Sequence, residues 1–137
     1  FFVARLTAAS GAHVWSHAHG GAAYELAYDL AIDPDGTLIA VGSLGTAGVS
    51  VGGDVLGFAG GPSDLLFARY DQATGAHRAS VSRGGSGDDV AWGVAIDPRT
   101  RNVIVAGHAS GGLDLGDGWG GDVLGGYGVV IANLGRL

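Results

Sequence analysis

The chain has 137 residues, a formal charge of −6, seven arginines, no lysine and no cysteine. The arginines are scattered, so no basic stripe follows phosphates or an anionic membrane surface, and nucleic acid is excluded as the expected partner. Disulfides and thiolate metal sites are excluded as well, and no apolar run approaches the roughly 18 residues of a membrane-spanning helix.

Leu, Ile, Val and Phe together number 36, enough for a folded core, and 28 glycines accompany them. Twelve aspartates stand against the single Glu25, so turn formers are plentiful and helix-favouring charged residues are scarce. The expected class is all-β. Residue 1 is Phe, with no initiator Met and no basic-then-apolar leader, which reads as a trimmed end.

An internal repeat fixes the elements. "FVARLTAASGAH" near the start and "LFARYDQATGAH" place Ala4, Arg5, Gly11 and His13 over Ala68, Arg69, Gly75 and His77, an offset of 64. The offset runs on through "LAYDLAIDP" (26–34) over "VAWGVAIDP" (90–98). One extra residue then enters the second copy, so "LIAVG" (38–42) meets "VIVAG" (103–107). After three more, "GDVLG" at 53–57 meets "GDVLG" at 121–125. The expected organisation is one segment with copies at 1–64 and 65–128 and a partial third at 129–137.

Taken in chain order, strands are predicted near 2–7, 12–18, 26–33, 37–43, 66–71, 77–83, 90–97, 102–108 and 129–134. Ser10-Gly11 and Thr74-Gly75 supply the glycine of short hairpin loops, and Asp33-Pro34-Asp35-Gly36 has Pro and Gly where a tight turn uses them. The stretch 22–32 has several good helix formers, but its copy contains Gly87 and Gly93. Leu26, Tyr28, Leu30 and Ile32, like Val90, Trp92, Val94 and Ile96, recur at every second position, which is a strand period. The positions between are small or short, so one bulky and one flat face are expected, with the bulky face of one sheet filling the flat face of the next and Ala95 among the packed residues.

Counted in order, the strands fall two, then four, then three. Four antiparallel strands per unit, in tandem hairpins without crossover helices, predict a β-propeller-like array of four-stranded blades, here an incomplete ring of roughly two and a quarter blades. "FVARLTAASGAHVWS" followed by "GG" and "LAIDPDGTLIAVG" resembles the bacterial SBBP (seven-bladed β-propeller) repeat, and copy two carries the fuller "GGSGDDVAWGVAID…VIVAGHASGG". The resemblance implies a secreted or surface-attached bacterial protein without assigned catalytic residues. The copies are longer than the ~40 to 50 residues usual for a blade because of the Gly-rich stretches at 44–63 and 109–128.

A residue shared by both copies reads as architectural, whereas a copy-specific residue is freer to act. "GGSGDD" (84–89) fits one turn of a calcium-binding β-roll and makes Asp88 and Asp89 calcium candidates, but copy one has "GGAAYE" there and no neighbouring turn completes a shell, which favours a strand entry. Asp33 and Asp35 resemble the start of a calcium loop but fit a hairpin turn better. His17 and His19 share a strand face at a spacing able to hold Zn²⁺ or Cu²⁺ given a third ligand, and without one they read as a solvated strand end. His13 and His77 are equivalent and suggest local hydrogen bonding. Trp119, in a glycine-rich loop of copy two, reads as a contact for a sugar or protein or as cover for a sheet edge, while Trp15 and Trp92 read as packing residues.

No nucleophile elbow, P-loop, paired glutamates or HExxH occurs, and Ser16 and Ser110 lack a supporting pattern beside their histidines. No catalytic, cofactor or metal residue is expected. The expected function is a noncatalytic scaffold, extracellular or at a bacterial surface, partnered by other blades of the same protein or by neighbouring chains, with a protein or glycan as ligand. The alternatives are a structural subunit of a filament or stalk, and blades of a propeller enzyme whose site lies elsewhere.

Overall fold

The computed structural model describes residues 1–115 and 128–133, with side chains described to residue 115. Nine strands and no helix occur among them: β1 (Phe2–Leu6), β2 (His13–Ala18), β3 (Glu25–Ile32), β4 (Thr37–Leu44), β5 (Asp64–Asp71), β6 (His77–Arg83), β7 (Val90–Ile96), β8 (Val103–Ala109) and β9 (Gly128–Asn133). They form three antiparallel sheets in the orders β1-β2, β3-β4-β5-β6 and β7-β8-β9. The class and each strand follow the expectation from sequence, and so does the succession of two, four and three.

The turns show why the glycines fall where they do. Gly11 and Gly75 hold φ of 67° and 75°, a left-handed conformation that costs a residue without Cβ nothing. Each donates its amide to the carbonyl at the loop's start, Thr7 at 2.9 Å and Asp71 at 2.8 Å. The inserted residue of copy two changes the next turn: Gly36 at φ 82° is replaced in role by Arg101 at φ 63°. Arg101 reaches back to the turn of copy one, where its guanidinium pairs with Asp33 and, at 3.1 Å, with Asp35. The lengthened loop is therefore a clasp between the two turns.

The central sheet is assembled out of phase with the sequence repeat. β3 and β4 come from copy one, β5 and β6 from copy two, and β4 pairs with β5 from Thr37↔Asp71 to Leu44↔Asp64 without a register shift. β4 is buried throughout and β5 almost so, because both faces are covered. Leu38, Ala40, Leu44, Leu66, Ala68 and Tyr70 pack with Val3 and Trp15 of the first sheet and with Val49, Val51 and Leu56 of the long connection between β4 and β5. Ile39, Val41, Leu65 and Phe67 pack with Ala91, Val103, Val105 and Ala109 of the third sheet. Burial of this much apolar area is the main stabilising term, at about 25 cal/mol per Å².

The expectation of one bulky and one flat face fails on β3 and β7. A β-bulge interrupts the register between Ala27 and Asp29, and an equivalent one lies between Ala91 and Gly93. An extra residue reverses the alternation, so the bulky residues of β3 do not share one face. Leu26, Leu30 and Ile32 remain about half exposed. Ala95 is exposed too, and the small residue without room is Ala91. Trp119 lies outside the described residues.

Candidate binding cleft between the second and third sheets

Two carboxylates anchor the entries to β3 and β7. Glu25 accepts the Gly21 amide at 2.8 Å, and its equivalent Asp89 accepts the Gly85 amide, also at 2.8 Å, and that of Ser110 at 3.1 Å. Asp89 is fully buried, and burial pushes its pKa up. Its place is thus structural: it closes the glycine loop onto the strand. The signal for this was in the sequence, since both "GGAAYE" and "GGSGDD" end in an acid at the same offset.

Asp88 differs in kind. Its carboxylate accepts the Ser63 hydroxyl at 2.6 Å on Oδ1 and His108 Nε2 at 3.2 Å on Oδ2. The Ser63 bond, with help from His108, holds its pKa below the usual carboxylate range, so it is anionic at neutral pH. Trp92 Nε1–H donates to His108 Nδ1 at 2.8 Å, which assigns the proton to Nε2 and aims it at Asp88. Ser63 and His108 donate to the same carboxylate, so the hydroxyl proton is not offered to the imidazole as it is in a nucleophile–base pair.

The bulges then bring aromatic rings to this network. Tyr28 and Trp92 are the extra residues of the two equivalent bulges, and they meet across the sheets with centroids 4.4 Å apart and planes at 53°. Asp29 beside them accepts the Val94 amide at 2.9 Å, tying β3 to β7. The result is a cleft of about 400 Å³ whose walls include Tyr24, Tyr28, Trp92, Asp88, Ser63 and His108. Trp92 is about half exposed, so it packs between sheets and is not a core residue. Sequence reasoning singled out Asp88 and missed His108, Ser63 and Tyr24. The offset that places Tyr24, Tyr28 and Ser43 of copy one over Asp88, Trp92 and His108 of copy two was the available signal.

The remaining candidates lie elsewhere. His17 and His19 stack on Tyr70 at 6.2 and 6.3 Å, and the Nε2 atoms of both are buried without a hydrogen-bond partner. They form a half-buried aromatic stack between the first two sheets, which corrects the expectation of a solvated strand end. Burial, with the nearby His17, the N-terminal amine and His77, lowers the pKa of His19. His13 and His77 make equivalent bonds to Ser16 at 2.9 Å and Ser80 at 3.1 Å, the local role their recurrence suggested. Asp33 and Asp35 sit in the turn clasped by Arg101. Among the described residues, no three His, Asp or Glu side chains are grouped to hold a metal ion.

No protein-family model matches the chain, and no curated protein matches it.

Proposed function

We propose that the chain is a run of β-propeller-like blades acting as a noncatalytic interaction scaffold, with further blades of the same protein or of neighbouring chains as its structural partners. The observation that carries this reading is the central sheet built from halves of successive copies, with equivalent turns and bulges in both. A chain made this way extends by adding copies, each completing the sheet of the one before. The resemblance to the SBBP repeat supports a place outside a bacterial cell or on its surface.

The first sheet supports the same reading. β1 and β2 match β5 and β6 by the 64-residue offset, so the equivalents of β3 and β4 belong beside β1. A groove of about 670 Å³ lies there, lined by Phe2, Val3, Leu6 and Leu30 among others. Exposed apolar grooves of this kind favour association. Sedimentation velocity on the 137-residue chain tests the reading. Concentration-dependent association is expected, and a dilute monomer with sharp thermal unfolding would overturn it.

A further inference from the structure

We propose that the cleft between β3 and β7 binds a small molecule bearing a quaternary ammonium group. The proposal deepens the scaffold reading by naming a ligand for it and rests on that reading only for the absence of chemistry. The cleft's volume, about 400 Å³, lies within the range of small-molecule sites.

The aromatic surface comes first. Tyr28 and Trp92 meet at an angle and form a corner, with Tyr24, 82% exposed, on the same cleft. Ring faces carry negative potential and attract a cation placed over them, with Trp the strongest. Charge decides the sign of the ligand. Among the described lining residues Asp88 is the one formal charge apart from the titratable His108, and no arginine joins it. Ser63 and His108 hold Asp88 from both oxygens while its side chain stays 37% exposed, so the carboxylate is fixed and still accessible.

The donors around Asp88 favour a ligand that needs none of them. The Ser63 hydroxyl, His108 Nε2–H and Trp92 Nε1–H are already committed within the network. A sugar's acceptor oxygens would have to turn to the Tyr24, Tyr28 and Ser43 hydroxyls, whereas a quaternary ammonium needs no donor. Trp92 keeps the aromatic character of Tyr28, whereas Asp88 and His108 depart from copy one, where Tyr24 and Ser43 stand. An architectural role shared by both copies does not require Asp88 or His108.

The test is an NMR titration of the 137-residue chain with choline chloride, following the Trp92 indole N–H, assigned through Trp92→Phe. A saturable shift is expected, with 3,3-dimethyl-1-butanol, the uncharged isostere, binding at least tenfold more weakly. Asp88→Asn and the exposed Tyr24→Ala should each weaken choline by about tenfold; the second variant guards against a folding defect in the first. Equal binding of the isostere, binding of glucose in place of choline, or no choline shift would each overturn the proposal. None of these outcomes bears on the association test above, so the two readings fail separately.

Discussion

Asp64 and Asp88 lie in the same region of the fold and titrate in opposite directions. Asp64 is buried, accepts only the Ala59 amide, at 2.6 Å on Oδ2, and leaves Oδ1 without a partner. Burial raises its pKa above 3.8, with the charge of Asp89 adding to the effect. The folded state therefore binds its proton more tightly than the unfolded chain, and stability falls as pH rises through the window above 3.8. Asp88, lowered by Ser63 and His108, contributes stability present above 3.8 and lost as pH falls through its folded value. Asp64→Asn removes the first effect alone. Urea unfolding should show it more stable than the parent at pH 7, with the difference closing below about pH 4. A variant less stable at pH 7 would show that the ionised Asp64 is well accommodated. The sequence does not give the direction in which either aspartate titrates, because for Asp88 it is set by Ser63 and His108, 20 or more residues away.

At the scale of the strand, spacing predicted all nine elements, since hairpin turns and period-two apolar residues are local signals. The bulges were not legible. "LAYDLAI" alternates without interruption as text, and the reversal at Tyr28 appears only when β3 pairs with β4. Ala91 and Ala95 report the consequence. Both were on the expected flat face, yet Ala91 lies before the bulge and is fully buried, whereas Ala95 lies after it and is exposed. Ala91→Leu should destabilise by about 1 to 3 kcal/mol through overpacking, and Ala95→Leu should stay within about 0.5 kcal/mol. Chemical denaturation of the two variants checks this, and equal losses would restore the unbroken alternation.

For the molecule as a whole, the open groove beside β1 makes the association testable by mutation. Leu30 is 52% exposed at its wall, outside the buried cluster whose Val3 and Ala40 reach the same groove. Leu30→Asp should leave thermal unfolding of the dilute chain within about 0.5 kcal/mol while reducing self-association in sedimentation. Unchanged association would move the interface to another face. The candidate cleft was only partly readable at this scale. Asp88 stood out as copy-specific, but its cleft joins residues of five separated stretches, and their meeting depends on how the sheets stack.

The uninterrupted β4–β5 pairing also governs cooperativity. Because these strands belong to different copies, neither copy owns a complete sheet, and melting one strips its neighbour of half its ladder. In the language of coupled chains, this pairing predicts a low intrinsic stability for a single copy and a large nearest-neighbour term. Partial unfolding at the joint between copies is thereby expected to be penalised, and separating the copies at the sequence boundary would leave β4 and β5 each with an unpaired edge where the intact chain joins them.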